Sequence, residues 1–410
     1  MKKLFLFLII TLAGTQIFAQ KASVTSHIQA DISFLASDAM KGRMTGTIYQ
    51  DIAAEYIASR FVEIGLKPKG DKNSFLQTFY FKPAADPHST ANLNITEGDS
   101  VRIINVAGWI DNGGSKTIII GAHYDHLGEG HNSFSLSAEG GIHNGADDNA
   151  SGVSLMLQLA EALSKVRSKY NYLFLAFSGE EYGLWGSNYY VKHPTIDLTK
   201  AAVMINLDMV GRLKDDNTLL IGGVGTSPIW KEKLEQSNVS RLKLVFEDSG
   251  SGPSDHTSFY FKDIPVLFYF TGQHADYHKV TDDIEKINFS GMVKIYENIF
   301  TLIRSLEKTD QIPFTKTKEQ KQDNVTMKVT LGIMPDYMYN EGGLRIDGVK
   351  EEKPAFKAGL KSGDIILELG KYKVTDIQAY MQALNGIEPG EKVNIQFKRN
   401  GQILSSEVQF

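Results

Sequence analysis

The sequence predicts an α/β protein with a mostly parallel central sheet flanked by helices, followed by a small β-rich unit. Three observations predict it. Short apolar runs, rich in β-branched and aromatic residues, alternate with segments of helical periodicity. Four of those runs lead straight into polar clusters bearing His, Asp or Glu. A polar, aperiodic stretch after Leu306 sets residues 326–410 apart from the rest.

Composition narrows the class. At 410 residues, two or three domains are expected, and the 42% hydrophobic content is ordinary for folded protein. A net charge of −5 without a basic block gives no expectation of nucleic acid as a partner. The chain has no cysteine, so it has no disulfide, thiolate metal site or cysteine nucleophile. Any metal must be held by His, Asp and Glu, a donor set suited to catalytic zinc.

The elements follow in order. The start, MKKLFLFLIITLAGTQIFAQ, has two lysines, an apolar core from Leu4 to Leu12 and small residues near Ala19. It reads as a secretory signal over residues 1–19, leaving an exported, periplasmic or extracellular chain with no transmembrane segment. Residues 25–66 carry apolar residues at helical spacing in HIQADISFLASDAMKG and DIAAEYIASRFVEIGL, the second ending near Gly65. Between them, GRMTGT is a glycine-bearing turn that reads first as a plain helix–helix connection and second as a loop near an active-site rim. FLQTFYF, ANLNIT and RIINVAGWI, within residues 74–110, read as strands.

The four strand-to-cluster segments come next. TIIIGA runs into His123, and Tyr172 to Phe177 runs into Ser178-Gly179-Glu180-Glu181. Ala201 to Leu207 runs into Asp208, and Val266 to Phe270 into a loop with His274, Asp276 and His278. Helical patterns fill Ser151 to Lys165, Ser227 to Glu235 and Phe289 to Leu306. The catalytic-type domain therefore spans 20–306, a linker 307–325, and the second unit 326–410. Turns at Gly342-Gly343, Ser362-Gly363-Asp364 and Asn400-Gly401 punctuate that unit, the last being a hairpin signal.

In open α/β sheets, ligands bind outside the carboxyl ends of the strands. The residues gathered there are His123, Asp125, Asp147, Asp148, Glu180, Glu181, Asp208, His278 and Asp282. One metal needs three or four protein ligands, so this set suits two metals about 3.5–4 Å apart. A carboxylate two residues after His123 can fix its ring. Adjacent side chains diverge, so one of Glu180 and Glu181 would bind metal while the other serves as general base. Asp282, four residues past His278, is placed to orient it. His126, His131, His143, His256 and His274 compete as ligands, and spacing does not exclude them.

HYD, GADDNASG, SGEEYG, NLDMVG and YHKVTDD, in this order, resemble the zinc-dependent peptidase family of bacterial leucyl aminopeptidases and glutamate carboxypeptidase, with glutaminyl cyclase more distant. The likeness covers roughly residues 25–305 and implies the dizinc exopeptidase fold with two Zn2+ per chain. It implies that His123 and Asp208 hold one zinc, Glu181 and His278 the other, and that Asp148 bridges them. Glu180 would be the general base acting on a zinc-bridging water, and Asp125 would orient His123. Asp147 and Asp282 would stand behind the ligands, and Ser254-Asp255-His256 would border the substrate. GRMTGT resembles a recurring segment ahead of the family's catalytic core. Two departures stand out. Some relatives carry a tyrosine where Ser251 stands, and residues 66–116 are too short for a full protease-associated insertion.

The C-terminal unit resembles a PDZ domain through VTLGIMPD and KPAFKAGLKSGDIILELG. The resemblance implies a carboxylate-binding loop at Leu331, Gly332 and Ile333, a groove helix in KVTDIQAYMQAL, and a C-terminal peptide as ligand. The expected function is an exported exopeptidase, most naturally an aminopeptidase acting on peptides. Three rivals remain. A carboxypeptidase or dipeptidase would need a cation for the substrate carboxylate, and Arg212 is the nearest. A non-catalytic PDZ scaffold would have no need of Glu180. Glutaminyl cyclase chemistry would use one zinc.

Overall fold

The computed structural model describes residues 22, 24–81, 100–130, 134–137, 140–317, 329–335, 342–349, 353–375 and 377–410. The leader, the ANLNIT segment and His131 lie outside the described residues. Among the described residues, no helix is long and apolar enough to cross a membrane.

Helix α1 (residues 24–35) leads through a 3-10 turn at Asp38–Arg43 to α2 (Ile48–Ile64). Gly65, at φ 87°, stops α2 by turning left-handed and donating its N–H to the last turn. Strands β1 (Lys67–Pro68), β2 (Leu76–Phe81), β3 (Val101–Ile110) and β4 (Lys116–His123) follow, then the short pair β5 (Gly128–Glu129) and β6 (Ile142–His143). The unit continues with α3 (Gly152–Ser164), β7 (Tyr170–Phe177), α4 (Trp185–Lys192), β8 (Ala201–Leu207) and β9 (Thr218–Gly222). Helix α5 (Trp230–Gln236), β10 (Lys243–Phe246), α6 (His256–Tyr260), β11 (Val266–Phe270) and α7 (Phe289–Ser305) complete it.

Nine strands make one sheet in the order β1-β3-β7-β4-β8-β11-β9-β10, with β2 also on β3. The four middle strands, β7, β4, β8 and β11, are parallel. Strand β3 meets β7 antiparallel and β9 meets β11 antiparallel, so the sheet is mixed toward its margins. Strands β9 and β10 are absent from the sequence expectation. TLLIG is as short as Val266–Phe270 but leads into no cluster of His, Asp or Glu, and the four residues of KLVF are too few to show a period.

The middle strands bury both faces, which is why they read as unbroken apolar runs. Ile118, Ile120, Phe174, Val203 and Ile205 enter the core shared with α2, α3 and α7. Their neighbours Ile119, Leu173, Leu175 and Met204 enter the opposite core, beneath α4 and α6. This alternation is the period-2 pleat of a strand. Each fully buried side chain of this size contributes about 1.5–3 kcal/mol, enough to fix the register and so the position of the residue ending each strand.

The predicted linker begins by docking. Thr315 donates its N–H to Thr226 at 2.8 Å, the Thr317 hydroxyl meets the Tyr260 hydroxyl at 2.9 Å, and Phe314 packs on the α4–α6 core. Its polar composition conceals this because the anchoring is done by backbone and hydroxyl groups.

The C-terminal unit has its own core, built on Leu331, Ile346, Ile366, Leu369 and Ile395. It comprises β12 (Ile333–Pro335), β13 (Leu344–Val349), α8 (Pro354–Lys357), β14 (Ile365–Leu369), β15 (Tyr372–Lys373), α9 (Ile377–Asn385), β16 (Lys392–Arg399) and β17 (Gln402–Gln409). The sheet order is β12-β13-β14-β16-β17, with β15 on β14. Asn400 and Gly401, at φ 50° and 82°, form the two-residue turn that lets Arg399 pair with Gln402.

Candidate metal centre

The parallel strands deliver their polar ends to one edge. His123 ends β4, Glu180 and Glu181 follow β7, Asp208 follows β8, and the loop after β11 carries His278. Gly121 sits two residues before His123, where a Cβ would lie 2.7 Å from Phe177 and 2.8 Å from Met204. A larger residue there would push β4 off its neighbours. Asp147 and Asp148 lie in the turn Ala146–Ser151 that opens α3.

Asp148 is the centre of the arrangement. Its Oδ1 lies 3.3 Å from His123 Nε2, and its Oδ2 lies 3.3 Å from His278 Nε2. Each imidazole meets a second carboxylate: His123 Nε2 is 3.3 Å from Asp208 Oδ1, and His278 Nε2 is 3.1 Å from Glu181 Oε2. The result is two half-sites sharing one carboxylate. His123, Asp148 and Glu181 also present ligand atoms all within 4.8 Å of one another. Glu180 stands to one side, its Oε2 4.0 Å from His123 Nε2.

Neighbouring groups fix these side chains. Asp125 presents its backbone carbonyl 3.3 Å and its carboxylate 3.7 Å from His123 Nδ1. The His278 Nδ1 faces the Phe134 carbonyl at 3.1 Å. Asp282, expected beside His278, instead accepts the backbone N–H groups of Asp147 and Asp148 at 3.0 and 3.1 Å. Its charge suits donors at the start of α3 better than an imidazole that already faces a carbonyl. Asp147 turns away from the cluster, accepting from Gly211 N at 2.6 Å and meeting His274 Nε2 at 3.1 Å. Asn149 ties the acidic turn to β8 through the Leu207 carbonyl at 2.9 Å.

Ser254 donates to Asp208 Oδ2 at 2.7 Å and so sets that carboxylate's rotation. Asp255 and His256 are buried, and among the described residues His256 Nδ1 has no hydrogen-bond partner. The His256 ring stacks on Phe268. Of the competing histidines, His126 joins the cluster. Its Nδ1 lies 2.7 Å from Glu181 Oε1. His143 is taken up by Ser135 and Gly128. The only sequence signal for His126 was its place three residues past His123. Arg212 is engaged by Asp276, Nη2 to Oδ2 at 3.2 Å. GRMTGT lies against the site, as its second reading has it and not as a plain helix–helix connection: the Thr45 hydroxyl donates to Asp125 Oδ2 at 2.8 Å. A glycine-bearing loop gives no hint from spacing that Arg43 and Thr45 point inward.

Electrostatics show what the cluster accepts. Burial depresses the His123 imidazole, yet Asp208 and Glu180 outweigh it and hold it well above its usual value. His278, likewise opposed by burial, is raised to about 10 by Glu181 and Asp148. Burial and Asp148 favour the neutral form of Glu181, but His278 and His126 bring it down to about 2. Burial pushes the Glu180 carboxyl well up; His123 opposes this, and Asp208, Glu181 and Asp255 reinforce it. The carboxylates thus stabilise positive charge between the imidazoles, and that potential equally favours a divalent cation. Oxygen and imidazole nitrogen donors in groups of three fit zinc.

Fold and donor set together define an α/β protein with a metal centre at the carboxyl edge of its parallel strands. Residues 105–303 match Peptidase family M28, and residues 309–410 match the PDZ domain. Residues 105–303 thus form a peptidase domain of the M28 kind, and residues 309–410 a PDZ domain. Aminopeptidase YwaD of Bacillus subtilis is 30% identical over 190 residues, 43% of this chain and 41% of that protein. The chain spans about half the length of the curated relatives it matches. The zinc aminopeptidase of Bacillus subtilis shares the fold at a TM-score of 0.55 and 19% identity, over 70% of this chain and 96% of that one. Porphyromonas gingivalis glutaminyl cyclase shares it at a TM-score of 0.54 and 17% identity, over 70% and 98%.

In the PDZ unit, Leu331 is buried and its carbonyl accepts from Ala355 N at 2.9 Å. Gly332, at φ 74°, adopts the left-handed turn that glycine favours, and its N–H reaches Thr330 Oγ1 at 3.2 Å. Ile333 opens β12, which lies at the edge of its sheet.

Proposed function

We propose that this chain is an exported aminopeptidase with two zinc ions. One observation carries the reading: the two oxygens of Asp148 face different imidazoles, each with its own second carboxylate. His123, Asp208 and Asp148 would hold one zinc, and His278, Glu181 and Asp148 the other. Bound zinc would polarise a peptide carbonyl and lower the pKa of water.

The chain's own residues do the rest. Glu180, outside both half-sites, accepts a proton from the attacking water and passes it to the departing amine. Asp125 and Ser254 hold His123 and Asp208 in place. The acid-rich wall around Glu180 suits the ammonium of a peptide's free amino terminus and disfavours a terminal carboxylate. Arg212, the cation a carboxypeptidase would use, is paired with Asp276. Met209, beside Asp208, and Tyr277, stacked on His278, cluster with Leu220, Phe268 and Phe270, which favours an apolar first side chain.

The test uses a matched peptide pair, one with a free amino terminus and one N-acetylated, each with zinc and after chelation. Cleavage of the free-amine peptide alone, lost on chelation, is expected. Equal cleavage of both peptides would overturn the aminopeptidase reading.

A further inference from the structure

We propose that the Gly42–Thr47 loop is a positioning device for the metal centre, acting through Arg43 on the backbone of both metal-bearing loops and through Thr45 on Asp125. The proposal rests on the two-zinc reading of the cluster.

Arg43 is fully buried. Its Nε donates to the Tyr124 carbonyl at 2.8 Å, Nη1 to Leu35 at 2.6 Å and Asn144 at 2.5 Å, and Nη2 to Gly145 at 3.1 Å. Tyr124 lies between His123 and Asp125, and Asn144-Gly145 leads into Asp147-Asp148. One guanidinium therefore joins the end of β4 to the turn that carries the shared carboxylate. All four bonds go to carbonyls, which leaves the carboxylates free for metal. A buried cation is expensive unless its surroundings repay it. Here burial lowers the guanidinium to about 10, with Asp148 and Asp125 opposing, so it stays charged at neutral pH. Lysine, with a point charge on a flexible stem, cannot span those carbonyls.

Thr45 works on the other side. Its hydroxyl donates to Asp125 Oδ2 at 2.8 Å and lies 3.0 Å from the Ser178 hydroxyl, which donates to Gln50 at 2.8 Å. The opposite oxygen of Asp125 accepts the Glu180 N–H at 3.3 Å and faces His123 Nδ1 at 3.7 Å. Thr45 thus fixes the carboxylate that sets both a ligand ring and the backbone of Glu180. The loop is also wedged in place. Lys41, Gly42 and Arg43 are consecutively left-handed, and a Cβ on Gly42 would lie 2.6 Å from the carbonyls of Gly128 and His143. Such backbone strain persists only where the surroundings impose it.

The test strips the full-length chain of metal and titrates it with zinc against a chromophoric chelator, reading both binding steps, then repeats the loading with Co2+ and records the visible spectrum. Thr45→Val is expected to weaken one of the two steps roughly ten- to hundredfold and to alter the cobalt spectrum. Thr45→Ser is expected to restore both. Arg43→Lys is expected to weaken both steps; if that variant does not fold, the Thr45 pair decides alone. Wild-type affinities and an unchanged cobalt spectrum in Thr45→Val would overturn the proposal, whatever its melting temperature. A wild-type chain that takes up no zinc would overturn the two-zinc reading, and this proposal with it.

Discussion

At the scale of single residues, the centre divides its labour between neighbours. Glu181 is drawn down by two imidazoles, whereas Glu180, one residue away, is pushed up by burial and the acids around it. Glu180→Gln should therefore retain its zinc, measured per chain by atomic emission, while turnover falls by roughly 10²–10⁴. Normal turnover would remove Glu180 from its role. Asp148→Ala should instead empty the site, because both half-sites lose a ligand at once; two zincs retained per chain would contradict a shared carboxylate. His256 makes a prediction about pH. Burial lowers its imidazole to about 3, so the native chain keeps it neutral where the unfolded chain, near 6.5, takes up a proton. More protons on the unfolded side mean that stability falls with pH from about 6.5 down toward 3, by about 1.4 kcal/mol per unit. Urea unfolding at pH 6.5 and 4.5 should show His256→Phe losing less stability across that interval than the wild type. An equal loss in both would mean that the ring carries a proton in the native state.

The elements explain what could be read in advance. Strands β4, β7, β8 and β11 were legible because burial on both faces leaves an apolar run with a polar stop, and those stops lead to the residues proposed as metal ligands. Helix α7 matched its predicted span to within a residue, its stripe facing one core. Short pieces were not legible: β9 and β10 gain their pairing from neighbours already in place. Nor could sequence separate His126 from the other histidines, since only the fold brings its ring against Glu181. The inward turn of Arg43 was hidden for the same reason. Residues 309–317 were read as linker yet belong to the α/β unit. A chain ending at Thr317 should accordingly melt several degrees above one ending at Lys308, as followed by circular dichroism. Identical melting would mean that the Phe314 and Thr317 contacts contribute nothing measurable.

For the whole molecule, the two units answer different chemical questions. The sheet of the α/β unit gathers charge at one edge for bond cleavage, while β12 of the PDZ unit is the edge strand among the described residues, a position of the kind to which a peptide adds as a strand. The anchoring of Thr317 on Tyr260 bears on how they could cooperate. The described part of the α/β unit ends at that mooring rather than at the end of α7, and residues 318–328, outside the described residues, join it in sequence to Val329. Covalent geometry limits any such stretch to about 3.5 Å per residue. A peptide held by the PDZ unit would then be confined to a small volume beside the peptidase, at an effective concentration far above that of the surrounding solution. Capture of one part of a substrate would bring its remaining length to the cleavage site without any new contact being made.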